Sequence, residues 1–278
     1  MRVPVPAALA LLSATPLAAQ ARPNLLFLFS DDHATSAISA YGSNRNVTPN
    51  LDRLAAEGML FENAFCGNSI CAPSRATILT GLHSHANGHL DNTTTFDGAQ
   101  RTFPKLLQGA GYQTALIGKW HLRSDPTGFD HWEVLIGQGP YYNPPLKSAA
   151  GTRRVEGYTT EVLTDLALEW LAETRDPERP FLLMLQHKAP HRNWQPGPNE
   201  LALVDAAPFP EPATLFDDGA GRADAFHVQA MTIAGHLNEN DLKMNEPRGL
   251  TDEQRAAWDA VYGPLRAERD EAALAGED

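Results

Sequence analysis

The chain is short of cysteine, of positive charge and of long apolar runs, and each shortage removes a class of protein. Only two of its 278 residues are cysteine, Cys66 and Cys71, so it is no multiply bridged scaffold; one disulfide or two thiols are the alternatives. Lysine and arginine total 22 against 34 aspartates and glutamates, a formal charge of −12, which argues against nucleic acid as a partner. No segment is long or apolar enough to span a bilayer, and no repeat or low-complexity tract interrupts the pattern. With 42% hydrophobic and 20% charged residues, the chain has the means to bury a sizeable core as one large domain or one and a half.

What is present begins with a leader. Met1-Arg2, the apolar run Ala7 to Leu12 and the small residues at Ala19-Gln20-Ala21 make the three parts of a secretory signal. Residues 1–21 are expected to be removed as a signal peptide, giving a periplasmic or secreted protein.

The stretch Ser69 to Thr77 holds the chemistry. Pro73 suits the first position of a helix, so Ser74 to Thr80 reads as a short helix closed by Gly81, with Cys71 at its N-terminus. Unpaired N–H groups and the positive end of the dipole gather there, and Arg75 adds a permanent charge. An anion is favoured at such a place.

Three apolar runs point at the same edge. Asn24 to Phe29 reads as a strand buried on both faces of a parallel sheet and is followed by Asp31-Asp32-His33. Adjacent carboxylates at a carboxyl-terminal sheet edge are costly without a cation, so a hard Ca²⁺ or Mg²⁺ ion is one reading and a solvated acidic loop the other. Gln113 to Ile117 is a second strand and runs into Gly118-Lys119-Trp120-His121. Alternation there would put Lys119 and His121 on one face, against the reading of a surface lysine and a capping histidine. Pro180 to Gln186 is a third and ends in His187-Lys188-Ala189-Pro190-His191-Arg192. The alternation of strands with helices predicts a parallel sheet, on which these cations converge with Arg75.

The remaining segments frame these runs. Thr48 to Gly58 is a capped helix expected to pack on the first strand, and Met59 to Phe65 a strand or extended arm leading to Cys66 and Cys71. Thr102 to Gly111 is another capped helix, and Val162, Leu163, Leu166, Trp170 and Leu171 mark a helix that covers the core. His83, His85 and His89 lack a partner ligand at zinc spacing and read as solvated or substrate-facing; Asp91 to Thr94 reads equally as sugar contacts or as a polar loop. Gly128 to Trp132 and Tyr141 to Pro145 read as loops over the site. Pro208 to Pro212 is a connector, and Thr251 to Ala275 a charged helical tail.

Cys71-Ala72-Pro73-Ser74-Arg75, continued by Ala-Thr-Ile-Leu-Thr-Gly81, resembles the signature of the type I, formylglycine-dependent sulfatases of the alkaline phosphatase superfamily. Gly118-Lys119-Trp120-His121-Leu122 resembles their second signature, and Asp31-Asp32 their opening metal pair. The resemblance implies an alkaline-phosphatase-like α/β sandwich, a central, mostly parallel sheet with helices on both faces. It implies that a formylglycine-generating enzyme converts Cys71 to formylglycine, and that Asp31, Asp32 and the converted Cys71 hold Ca²⁺, with Mg²⁺ the second choice. Lys119 then binds sulfate oxygens, His121 bonds to the hydrated aldehyde, and His191 protonates the leaving oxygen or touches the sulfate. His187 and Lys188 are secondary candidates for substrate contact. His187-Lys188-Ala189-Pro190-His191-Arg192-x-Trp194 resembles bacterial sulfatases acting on N-acetylglucosamine 6-sulfate, as found in mucin or glycosaminoglycan.

The resemblance covers residues 23–278 but only the N-terminal half or so of a family member. Sulfatases add metal ligands from a later strand ending in Ser-Asp, then a sulfate-binding lysine, then a smaller C-terminal subdomain; no such strand follows Gln186. Residues 22–278 are therefore expected to form the N-terminal part of a catalytic domain, apparently truncated, weakly active or inactive and marginally stable. The expected reaction is hydrolysis of a sulfuric ester on a sulfated glycan. The alternatives are a phosphate or phosphonate monoester hydrolase of the same superfamily and an inactive glycan-binding fragment.

Overall fold

Six segments pair into one sheet: β1 (Leu25–Phe29), β2 (Gln113–Lys119), β3 (His131–Leu135), β4 (Pro145–Ser148), β5 (Gly151–Arg154) and β6 (Phe181–Gln186), in the order β1-β6-β2-β3-β4-β5. The computed structural model describes residues 22–203 and 211–275; the expected signal peptide and part of the Pro208–Pro212 connector lie outside the described residues. β1, β6, β2 and β3 run parallel, and β4 and β5 return antiparallel. Eight helices complete the described chain: α1 (Pro49–Glu57), α2 (Cys71–Thr80), α3 (Ser84–Asn87), α4 (Phe103–Gly109), α5 (Thr159–Glu169), α6 (Asp224–Val228), α7 (Ile233–His236) and α8 (Asp252–Ala275).

The two-residue period of the strands sorts the core into layers. Leu116, Leu182 and Met184 pack with Ala72, Ala76 and Leu79 of α2 on one face. Ala115, Ile117, Leu183 and Leu185 pack with Val162, Leu163 and Ala167 of α5 and with Trp170 on the other. Every residue of β2 and β6 is buried. The expected mostly parallel sheet with helices on both faces is thus present.

The first strand departs from expectation. β1 is an edge strand: Leu25 and Phe27 pack toward α2, while Leu26 and Leu28 are 54% and 53% exposed on the face of α5. The reason is where the neighbouring helices go. α5 packs on β2 and β6, and α1, expected over β1, is held by the Ser39–Tyr41 turn, where Ser39 Oγ donates to Asp52 Oδ2 at 2.7 Å and accepts from the Thr48 N–H at 2.8 Å. None of its residues is buried. Met59 to Phe65 is no strand either; it is irregular, with Phe65 91% exposed.

The tyrosines expected over the site belong to a third core. Tyr141 and Tyr142 pack with Leu201, Leu250, Trp258 and Tyr262, because α8 brings its two aromatic residues down onto them. Reciprocal bonds start that helix: the Gln254 N–H donates to Thr251 Oγ1 and the Thr251 N–H to Gln254 Oε1. Gly128 to Trp132 likewise leads straight into β3, with Phe129 buried.

Candidate active site

Register brings the three strand ends together. Phe29 pairs with Gln186, and Gln186 with Gly118, so β1, β6 and β2 finish side by side. The approach at Gly118 is close enough to require glycine: its φ is +115° and a Cβ would stand 1.9 Å from the Gln186 carbonyl oxygen. The Asp31 N–H donates to Ala189 O at 3.1 Å and the His187 N–H to Phe29 O at 2.8 Å, tying the two loops beyond the edge.

At that edge the chain buries charge. Lys119 is fully buried and donates to Asp31 Oδ2 and to Gln138 Oε1. Arg75, 3% exposed, lies with its guanidinium carbon 5.2 Å from the Phe29 ring centroid and Nη2 3.6 Å from Asp31 Oδ2. Its Nη1 donates to Lys119 O and Gln186 Oε1, while Nε and Nη2 are buried without a hydrogen-bond partner. Buried guanidinium donors of this kind ask for an anionic acceptor.

Cys71 is the first residue of α2, so the helix begins earlier than Ser74. Pro73 is accommodated because N–H groups in the first turn have no intrahelical partner, and it has none to lose. Asn92 Oδ1 takes the Ala72 N–H at 3.0 Å. The Cys71 sulfur lies 3.9 Å from His191 Nε2. Hydrogen bonds from His121 and then His191, helped by the charge of Lys119, pull the thiol down to about 6 against burial and Asp31. The same contact raises His191 against its burial, and the Arg192 carbonyl adds to the effect. His191 Nδ1 meets that carbonyl at 2.6 Å and so carries a proton in either charge state, while Nε2 faces the sulfur and donates to it when the ring is charged.

The candidate residues converge. Asp31, Asp32, Cys71 and Arg75 line one cavity of about 310 Å³ with Phe29, Cys66 and Ser74. Lys119 reaches this cluster through Asp31, and His191 through Cys71 and through Asp32 Oδ2 at 3.6 Å from its Nε2. His121 arrives by an unexpected route: β2 ends at Lys119, and a left-handed φ of 56° at His121, rather than strand alternation, turns it to the sulfur. Lys188 is buried with Nζ 4.9 Å from the Tyr141 ring centroid, and burial first, then Lys119, lowers it to about 8. His187 joins the edge through its backbone only, and burial lowers its ring. Cys66 and Cys71 are both free thiols.

Some expectations change. His89 is 1% exposed and packs edge-on to Phe96, so it is neither solvated nor substrate-facing. Asp91 is taken up locally, accepting from the N–H and hydroxyl groups of Thr93 and Thr94, while Asn92 serves the start of α2. Tyr141, expected in a loop over the site, donates its hydroxyl to His191 O, and Asn92, read with the polar loop, serves α2; Gln138 and Gln186 also support the site and were not singled out from sequence. Gln186 carried a signal, a polar residue closing an apolar run; Gln138 carried none.

The donor set decides what position 71 must become for a hard cation. Asp31 and Asp32 offer oxygens, but a thiolate is a soft ligand that Ca²⁺ does not favour. With oxygen in place of the Cys71 sulfur, Asp31, Asp32 and position 71 would offer Ca²⁺ a compatible part of the six or more oxygens it takes.

The family model described as Sulfatase matches residues 23–231. The N-acetylglucosamine-6-O-sulfatase of Bacteroides thetaiotaomicron is 46% identical over 275 residues, covering 92% of this chain and 49% of that protein. The N-acetylgalactosamine-6-sulfatase of Sus scrofa is 30% identical over 77% of this chain and 48% of its own length. A protein solved with its substrate D-glucosamine-2-N,6-O-disulfate superposes with a TM-score of 0.85 at 46% identity, over 90% of this chain and 55% of the other. The chain thus spans about half the length of the relatives it matches. A cysteine at a helix start, ringed by two buried cations and two histidines, together with a family match over most of the described residues, places the chain in the sulfatase family.

Proposed function

We propose that this chain carries the nucleophile half of a sulfuric ester hydrolase site that removes sulfate from N-acetylglucosamine 6-sulfate in a glycosaminoglycan or mucin glycan. The observation that carries the reading is Arg75: two of its buried nitrogens lack an acceptor beside Cys71, where a sulfate would supply one. The printed substrates of the 46%-identical relatives support the choice of sugar.

A formylglycine-generating enzyme oxidises Cys71 to an aldehyde, whose hydrate supplies one hydroxyl that attacks sulfur as the sugar oxygen leaves, and a second whose deprotonation re-forms the C=O bond and expels the bound sulfate. Ca²⁺, held by Asp31, Asp32 and position 71, supplies positive charge beside the reacting oxygens. Arg75 and Lys119 bind the nonbridging oxygens and stabilise the charge that spreads over them. Gln186 and Gln138 hold these two cations in place. His121 takes or returns the proton at position 71. His191, its Nδ1 fixed by the Arg192 carbonyl, presents Nε2 to the leaving sugar oxygen as general acid. Lys188 adds positive charge toward the sugar, and His187, held neutral by burial, offers it a ring nitrogen. The leader at residues 1–21 directs export, so the reaction takes place in the periplasm or outside the cell.

The test pairs chemistry with turnover. The tryptic peptide spanning Cys71, from a host that matures such sites, should be lighter by about 18 Da, the difference between thiol and aldehyde. Sulfate release from N-acetylglucosamine 6-sulfate should be absent in Cys71→Ala and should exceed phosphate release from the matching phosphate ester. An unmodified thiol in that host, or a preference for phosphate, overturns the assignment.

A further inference from the structure

Before conversion, the site contains a different ligand set. Asp31, Cys71 and His191 each offer one ligand atom, and these atoms lie within 4.8 Å of one another. The sulfur and His191 Nε2 are 3.9 Å apart. Tetrahedral zinc with bonds of about 2.0–2.3 Å holds its ligand atoms roughly 3.3–3.8 Å apart, so contraction by at most about 1.5 Å would complete three bonds. The imidazole is already set for this: Nδ1 is tied to the Arg192 carbonyl at 2.6 Å, which orients Nε2 as histidine ligands are oriented by their outer hydrogen bond. Lys119 and Arg75 both address Oδ2 of Asp31, and among the described residues no hydrogen bond reaches Oδ1. Asp32 Oδ2, 3.6 Å from the same Nε2 on a largely exposed side chain, is within reach as a fourth ligand.

We infer that the unconverted chain binds one thiophilic divalent ion of the zinc class through Asp31, Cys71 and His191. Replacing the sulfur by oxygen then changes the preference of the same pocket from a borderline-soft ion to a hard one. This goes beyond the proposed reaction, since it concerns the thiol form, and it stands whether or not the aldehyde forms.

The test uses the full chain produced without a formylglycine-generating enzyme, with Co²⁺ as a spectroscopic probe. One equivalent should produce a near-ultraviolet sulfur-to-cobalt charge-transfer band that Zn²⁺ abolishes. The band should be lost in Cys71→Ser, survive in Cys66→Ser, and require a Co²⁺ concentration higher in His191→Gln by at least the roughly 10–100-fold that loss of an outer-shell partner alone costs. Because substitutions at this buried edge can disturb folding, the unsubstituted protein provides a second readout. Zn²⁺ should protect Cys71 from iodoacetamide while leaving Cys66 reactive, as read by peptide mass spectrometry. A band that persists in Cys71→Ser or disappears in Cys66→Ser overturns the site, as does Cys71 alkylation that Zn²⁺ leaves unchanged. Absence of the aldehyde in a maturing host would count against the proposed reaction alone.

Discussion

The sulfur of Cys71 lies 3.9 Å from Nε2 of His191, a contact between residues 120 apart in the chain. The thiolate is stabilised by hydrogen bonds from His121 and His191 and by the charge of Lys119, which outweigh burial. In the unconverted chain, freed of metal by a chelator, the iodoacetamide reaction of Cys71 should therefore rise through a midpoint near pH 6, well below that of an ordinary thiol. Removing one contact weakens the thiolate, so His191→Gln should move that midpoint upward. An unchanged midpoint would show that the histidine contact does not stabilise the anion.

Lys119 and Asp31 form an ion pair in the interior, fully buried on the lysine side and with only 7% exposure of the aspartate side chain. Removing one partner leaves the other charge desolvated. Lys119→Ala should cost about 3–5 kcal/mol of stability, less whatever Arg75, 3.6 Å from the same carboxylate oxygen, retains. Adding Asp31→Asn to it should recover part of the loss, and a double-mutant cycle by urea denaturation measures the coupling. Additive single losses would refute the pair.

What could be read from sequence follows from where the signal is local. β2 and β6 announce themselves as apolar runs because they are buried on both faces, and the helix at Pro49 because its opening proline and closing Gly58 lie within a few residues, although Thr48 makes no side-chain cap. The charged ends Asp31, Lys119 and His191 follow from the parallel order of the sheet. β1 misled because an edge strand and an interior one share the same apolar letters; only the position of α5 and α1 decides which face is covered. Tyr141 and Tyr142 misled because their partners, Trp258 and Tyr262, come from the far end of the chain. The left-handed turn at His121 has no glycine to mark it.

The α5 face of the sheet gives two different mutational costs, one under the helix and one beyond it, since Leu26 pairs with Leu183 on that face. Leu183 is fully buried, so Leu183→Ala should destabilise by about 2–5 kcal/mol. Leu26 and Leu28 are more than half exposed, and Leu26→Lys or Leu28→Lys should stay within about 0.5 kcal/mol. Thermal denaturation of the described chain compares them directly. A large loss at Leu28 would mean that its outer face is covered in solution.

Gln186 is the strongest remaining test of how the anion pocket is held. Its Oε1 accepts from Arg75 Nη1, and its side chain is nearly buried. Gln186→Ala removes an acceptor from a guanidinium that already has two unpartnered nitrogens, so it should cost about 1–3 kcal/mol. Gln186→Glu keeps the volume and offers a charged acceptor, so it should lose less stability. The added negative charge should nevertheless oppose an incoming anion. Inorganic sulfate should therefore raise the melting temperature of the wild-type chain and do so less in Gln186→Glu, with the difference shrinking at high salt. Equal protection by sulfate in both proteins would mean that the anion does not bind beside Arg75.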